Sequence, residues 1–402
     1  MSRLAVHGGI PVRDSMLPYG QQWIEEDDIG QVVKVLQSEY LTQGPAIQDF
    51  ETRVASYVGA KYAVAFCNGT AALHAACYAA GIETDDEVIT SPLTFVASSN
   101  CVLYQGGKPV FADIDPLTYN IDPKQIEAKI TSRTKAIIPV DFTGQPADME
   151  QINAIARKFG LVVIEDAAHS LGARYKGTKV GVMADMTMFS FHPVKHITTG
   201  EGGIIVTDNE EYYQRLLLFR SHGITRDPQK LIENQGPWYY EMHMLGYNYR
   251  MTDLQASLGV SQLNKLDMFL ARRREIAQLY NVAFEAMVGV NSPFQQADVR
   301  SAWHLYIVKL DPTKLQGSRR EIFEALRAEN IGVHVHYIPV YLQPYYQGLG
   351  YKRGSCPIAE DVYEQIITLP LYPKMTNSDV KDVITSVDRV LEYYRIVRLE
   401  ED

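Results

Sequence analysis

Lys195 lies in an unusual setting within residues 189–203, FSFHPVKHITTGEGG, among Phe189, Phe191, Pro193, Val194 and Ile197. Burial among such neighbours favours the neutral amine and moves its pKa from about 10.4 toward neutrality. A lysine in that state is a nucleophile and a base, the properties of a Schiff-base lysine. On its own, such a residue more often buries its stem and leaves the ammonium in water, so a second signal is needed. Residues 161–170, LVVIEDAAHS, supply one. Four branched apolar residues run into Glu165 and Asp166, as in a buried parallel strand, and His169 follows three positions later. A carboxylate at the C-terminal edge of such a strand stands where open α/β sheets bind ligands and can face a cation; the plainer role for Asp166 is to cap the next turn.

A Schiff-base lysine and a carboxylate facing a cationic ring are the pair that a pyridoxal-phosphate site requires, the carboxylate meeting the protonated pyridine nitrogen. Such a cofactor also needs an anion site. In residues 67–81, CNGTAALHAACYAAG, Asn68 and Gly69 turn the chain and Thr70 opens an Ala-rich helix. The free amides of Gly69, Thr70 and Ala71 can hold a phosphate, joined by the hydroxyl of Ser190, although an Asn-Gly-Thr turn serves equally as an ordinary cap. Phe95, in SPLTFVASSN, follows the second apolar run, where an aromatic can lie flat on a planar ring or simply join the core. His334 and His336 alternate onto one face of VHVHY. No third ligand stands at a recognisable spacing, so no metal site is expected and substrate contact or a satisfied core position is the reading. Residues 236–259 gather aromatics around Asn248 and Arg250 ahead of a helix beginning near Thr252 or Asp253, a composition that suits an interface or a ligand wall.

These residues need a frame. From Lys61 onward seven short apolar runs alternate with helical patterns: KYAVAF, DEVITSP, KPVFADI, TKAIIPVDF, LVVIEDAA, MTMFSF and GGIIVTD. The alternation predicts an α/β fold with a large, mostly parallel seven-stranded sheet. Between runs, Asp148 is placed to cap a helix whose Ile152, Ile155, Ala156 and Phe159 share one face and which Gly160 ends. The remainder reads as a smaller α/β domain: a strand over 303–310, a helix over 318–330, a second strand at 333–337 and a long C-terminal helix. The 402 residues exceed one typical domain. With 38 basic against 48 acidic residues, a formal charge of -10 and no basic block, no nucleic-acid partner is expected. Four cysteines without metal or disulfide spacing fit reduced thiols. Neither a signal-peptide core nor a membrane-length apolar stretch is visible, so the expectation is a soluble cytoplasmic protein without membrane partners.

The blocks NGTAAL, TFVAS, VDFTGQPADM, EDAAHSLGA, FSFHPVKHITTGEGG, FRSHG, GYNYRMTDLQASLG and VHVHYIPVY occur in that order. Together they resemble the DegT-type (DegT/DnrJ/EryC/StrS) family of sugar aminotransferases over nearly the whole chain, from about Pro18 to about Met375. The resemblance implies an aspartate aminotransferase-like transferase fold of type I. A large cofactor domain would span residues 1–260, with its N-terminal segment touching substrate, and a small C-terminal α/β domain 261–402. It further implies that Lys195 carries pyridoxal 5'-phosphate, with pyridoxamine 5'-phosphate as the alternate form, and that Asp166 pairs with the pyridine nitrogen. His169 would lie against the ring with Phe95 opposite. Gly69, Thr70, Ala71 and Ser190 would hold the phosphate together with Asn248 from a second subunit, making a homodimer with shared active sites. L-Glutamate would be the amino donor and a UDP-linked 4-keto-6-deoxy-N-acetylhexosamine the acceptor, contacted by Tyr19, Glu39, Tyr40, Leu41, Thr42, Arg250, His336 and Tyr337. Related sugar dehydratases replace the lysine, typically by His, whereas here Lys195 is present and His196 only adjacent. A non-catalytic regulator on the same fold is the reading from another class, opposed by the retention of Lys195, Asp166 and Asn248.

Overall fold

The computed structural model describes residues 3–396. At its centre the seven apolar runs form seven strands: β1 Tyr62–Phe66, β2 Glu87–Thr90, β3 Lys108–Phe111, β4 Thr134–Ile138, β5 Val162–Asp166, β6 Met186–Ser190 and β7 Gly203–Thr207. They lie in the order β1-β7-β6-β5-β4-β2-β3. Only β7 runs against its neighbours, and the other pairings are parallel. This arrangement brings Phe66, Gly203 and Ser190 into register at one edge, the same edge at which β5 ends in Asp166.

Helices cover both faces, which is why the strands are apolar throughout rather than alternating. The helix Gly69–Ala79 packs on one face beside Ala97–Tyr104 and Glu210–Arg220, and its alanines let its backbone approach the sheet closely. Pro45–Val58 and the start of Leu266–Phe284 cover the other. The helix Met149–Phe159 forms with Asp148 accepting from the Gln151 amide and Gly160 in the left-handed region at φ 68°. Its buried stripe is Met149, Ile152 and Ala156; of the other two residues expected there, Ile155 is half-buried and Phe159 is 41% exposed.

A second core lies around an antiparallel sheet of Val290–Asn291, Tyr306–Leu310 and Ile366–Leu369 with the helices Arg319–Ala328 and Asn377–Tyr394. Residues 333–337, expected as a strand here, make a single bridge from His334 to Thr368 and then turn toward the large sheet. Ile366–Leu369 takes the place beside Tyr306–Leu310. Leu4 and Leu17, from the start of the chain, pack into this second core.

Candidate active site

The C-terminal edge of the parallel strands opens into a cleft of about 750 Å³. Asp166, the last residue of β5, is buried in its wall. Its Oδ2 accepts from Ser98 Oγ at 2.6 Å and its Oδ1 from the Ala168 amide at 3.2 Å. Burial raises its pKa, while Ser98, the Ala168 amide and the charge of Lys195 pull the other way. Glu165, one residue earlier, points to the opposite side of the strand as the pleat requires. It is buried there with Oε2 accepting from Thr187 Oγ1 at 2.9 Å.

Lys195 follows β6 on the loop whose return forms β7. Its backbone amide donates to the His192 carbonyl at 2.9 Å, and its Nζ lies 3.4 Å from His304 Nε2. Surrounding protein strips water from the amine and lowers its pKa to about 8; Asp166 opposes that shift and Arg273 adds to it. The lowering inferred from the local residues is therefore present, and its cause is desolvation. His169 is buried with its ring centroid 4.4 Å from that of His304, and the Nδ1 atoms of both are buried without a partner among the described residues.

The turn from β1 into Gly69–Ala79 forms the opposite wall. Asn68 caps that helix through the Ala71 amide at 2.8 Å. The Ala71 N–H is thus taken, whereas the amides of Gly69 and Thr70 stay free of partners within the described residues. The Ser190 hydroxyl stands beside Gly69, 3.4 Å from where a Cβ on that glycine would lie. The turn can sit this close to the sheet only because residue 203 is glycine: a Cβ there would lie 2.6 Å from the Asn68 carbonyl oxygen and 2.7 Å from Gly69 Cα.

Of the residues singled out from the sequence, Gly69, Thr70, Ala71, Phe95, Asp166, His169, Ser190, Lys195, Tyr19, His334, His336 and Tyr337 line this cleft. Phe95 stays 57% exposed there, its ring 6.3 Å from that of Tyr337. His336 and His334 do share a face, with ring centroids 4.4 Å apart and both packed on Tyr19. His336 Nδ1 meets Thr368 Oγ1 at 2.9 Å, and burial lowers its pKa to about 3.

The other expected contacts do not reach the cleft within one chain. Asn248 is exposed in a bridge with Ser221. Arg250 bridges Phe66 and lines a separate groove with Glu51 and Arg220. Glu39, Tyr40, Leu41 and Thr42 are exposed, held near the start of the helix Asp253–Leu263 by the Leu41 carbonyl and a Thr42–Thr252 bridge.

Three residues of the site went unread in the sequence. Ser98 is hidden in an unremarkable TFVASS helix start. His304 lies just ahead of an apolar strand. Arg273 sits in an Arg-Arg-Arg run that resembles a solvated helix face, yet it is fully buried.

The donor set fits pyridoxal phosphate: free amides and hydroxyls for an anion, a buried carboxylate for a ring cation, and a desolvated lysine between them. The fold and this set are those of a pyridoxal-phosphate enzyme. A family model described as the DegT/DnrJ/EryC1/StrS aminotransferase family matches residues 22–388, and the chain belongs to that family. It is 45% identical over 382 residues to the spore coat polysaccharide biosynthesis protein SpsC of Bacillus subtilis, covering 94% of this chain and 98% of the relative. Among solved structures, Helicobacter pylori PseC, an aminotransferase in the biosynthesis of pseudoaminic acid, is similar at TM-score 0.88 and 32% identity, with 94% and 100% of the two chains covered. The putative sugar aminotransferase Spr1654 of Streptococcus pneumoniae is similar in its PMP form at TM-score 0.89 and 32% identity, covering 94% and 100%. Its PLP form gives 0.88 and 31%, covering 95% and 100%. The chain is thus a sugar aminotransferase that uses pyridoxal phosphate, taking a sugar and an amino donor as substrates. Among the described residues, no helix is long and apolar enough to cross a membrane, and the cysteines are free.

Proposed function

We propose that this chain transfers the amino group of L-glutamate to C4 of a UDP-linked 4-keto-6-deoxy-N-acetylhexosamine, UDP-2-acetamido-2,6-dideoxy-β-L-arabino-hex-4-ulose. That is the reaction of UDP-4-amino-4,6-dideoxy-N-acetyl-β-L-altrosamine transaminase in pseudaminic acid biosynthesis. The meeting of Lys195, at a pKa of about 8, with Asp166 in one cleft carries the transamination. Likeness to PseC supports the choice of sugar.

When bound, the cofactor supplies an electron sink for the carbanion formed at the carbon bearing the nitrogen. The Asp166 carboxylate, held by Ser98, stabilises a positive charge on the ring nitrogen. Gly69 and Thr70 amides, with the hydroxyls of Thr70 and Ser190, would anchor the phosphate at the helix N-terminus; the Ala71 amide already serves Asn68 and would add only shape. His169 and Phe95 are assigned to the two faces of the ring. Lys195 would be the residue that holds the cofactor covalently, and its amine, neutral when free, would be the base that moves the proton. His304, in contact with its Nζ, holds that amine in place.

Tyr19, His336 and Tyr337 line the same cleft and are assigned to the nucleotide sugar. Asn248, Arg250 and the stretch Glu39 to Thr42 would act from a second copy, in a homodimer with shared sites. Exposed Tyr40, Leu41, Trp238 and Leu245 on these segments support that reading. A larger unit of residues 1–260, a smaller one of 261–402 and a cytoplasmic location belong to the same proposal. Likeness to SpsC, at the higher identity of 45%, favours a second reading in which another nucleotide-linked 4-keto sugar of surface-polysaccharide synthesis is the acceptor.

The test is an absorption titration of the cofactor-loaded protein. L-Glutamate should bleach the visible band, and one 4-keto sugar nucleotide from a panel should restore it. Recovery with a different ketosugar selects the second reading, and a band that glutamate leaves unchanged overturns both.

A further inference from the structure

Arg273 is 1% exposed, and burial alone lowers its pKa to about 9, with no carboxylate contributing. Its Nη1 donates to the carbonyls of Leu371 at 2.9 Å and of Trp303 and His304 at 3.2 Å, and its Nη2 reaches the Val194 carbonyl at 3.5 Å. Nε is buried without a partner among the described residues. A cation this deep without a counter-ion is costly, and an apolar side chain of like volume would commonly hold a core at lower cost. Its four acceptors are informative in their identity. Val194 immediately precedes Lys195, and His304 is the residue whose Nε2 meets Lys195 Nζ. The planar guanidinium can span them, which an ammonium cannot.

We propose that Arg273 is a positioning residue of the Lys195 site, tying the lysine loop to the His304 segment and placing a fixed positive charge behind the amine. This rests on the reading of Lys195 as the cofactor-bearing residue, and it assigns the arginine a task that packing alone would not require. Lys195 is faced by Asp166 at the end of β5, by His169 on the turn after it, and by His304 and His336 from the C-terminal half. His192, His196 and the exposed Glu201 stand on its own loop, and Tyr337 lines the far wall. All five imidazoles are shifted down by burial and Tyr337 is shifted up. The charges that act on the amine are Asp166, which raises its pKa, and Arg273, which lowers it, so the protonation of Lys195 reports on Arg273.

The test compares wild type with Arg273→Met and Arg273→Lys. Acylation of Lys195 by acetic anhydride, followed by peptide mass spectrometry in cofactor-free protein, gives its pH midpoint, and steady-state kinetics of the loaded enzyme give kcat and KM. Removing a cationic neighbour stabilises the ammonium, so Arg273→Met should move the midpoint upward by about one pH unit. Arg273→Lys should keep the midpoint near wild type while kcat falls about tenfold, because the charge is retained and the span is lost. A folded Arg273→Met with an unchanged midpoint overturns the proposal. If that variant does not fold, wild-type kcat in Arg273→Lys overturns it instead. Failure of the functional reading would show separately, as normal Lys195 labelling in a wild-type protein that never acquires the visible band.

Discussion

Ser98 Oγ lies 2.6 Å from Asp166 Oδ2, so the carboxylate proposed to face the cofactor ring is held by a hydroxyl from a different crossover helix. Thr94 Oγ1, 2.7 Å from the same hydroxyl, fixes it in turn. Ser98→Ala should leave the fold and cofactor binding in place and lower kcat about tenfold, the size of one charge-assisted hydrogen bond. Stopped-flow bleaching by glutamate measures it, and a wild-type rate would remove Ser98 from the site's function.

Lys195→Ala should abolish the covalent link to the cofactor while leaving the melting temperature nearly unchanged, with turnover down by about three orders of magnitude or more. Borohydride reduction followed by intact-mass measurement reads the link directly. Turnover at the wild-type rate would refute the assignment of this lysine.

Gly203→Ala places a methyl group against the Asn68 carbonyl and Gly69 Cα. Pushing that turn off the sheet should cost about 1–3 kcal/mol of stability. Because the same turn carries the free amides, cofactor affinity should also fall, by about tenfold or more. Thermal unfolding and an equilibrium titration with pyridoxal phosphate test the two effects independently.

Asp141 and Glu165 are both buried, and burial raises both; Asp141 stands at about 7. The sign follows from linkage. Unfolded, Asp141 loses its proton near 4, whereas folded it keeps the proton to about 7, so across that window the native state binds more protons and rising pH destabilises it. Asp141→Asn removes this contribution. The difference in denaturation midpoint, variant minus wild type, should therefore grow from pH 4 to pH 7 and then level; a constant difference would show that Asp141 ionises normally.

Shared sites predict complementation. Inactive Lys195→Ala and impaired Asn248→Ala chains, unfolded and refolded together, should recover about a quarter of wild-type activity, since half the dimers are mixed and each has one intact site. Recovery no greater than the sum of the separate variants would place Asn248 outside the neighbouring copy's site.

The large sheet was legible because each of its strands is a short apolar run bounded by turn residues, a pattern that burial on both faces imposes. That Lys195 and Asp166 meet in one cleft was legible from two signals taken together, a lysine among aromatics and a carboxylate closing a branched apolar run, where each alone has a plain structural reading. Residues 333–337 misled because alternation looks the same in a paired strand and in an extended segment that lays two histidines on Tyr19. Arg273 was hidden by its neighbours. Arg272 turns to the Met375 carbonyl and Arg274 to the Ser301 carbonyl, while Arg273 between them reaches both of those segments and Val194 as well, a division that sequence periodicity cannot resolve. Ser98 and His304 act on partners 68 and 109 residues away, a separation that only the fold closes.

The helix Leu266–Phe284 begins in the core under the large sheet, through Leu266, Phe269 and Leu270, and ends in the other, through Ile276, Tyr280 and Phe284. It is therefore an axle common to both bodies, with Arg273 mounted where they meet. Through Arg273 the Leu371 carbonyl of the C-terminal core and the Val194 carbonyl of the lysine loop share a single guanidinium, and the His304 segment between them is fastened to the large-sheet side by the Thr143 and Gly144 carbonyls.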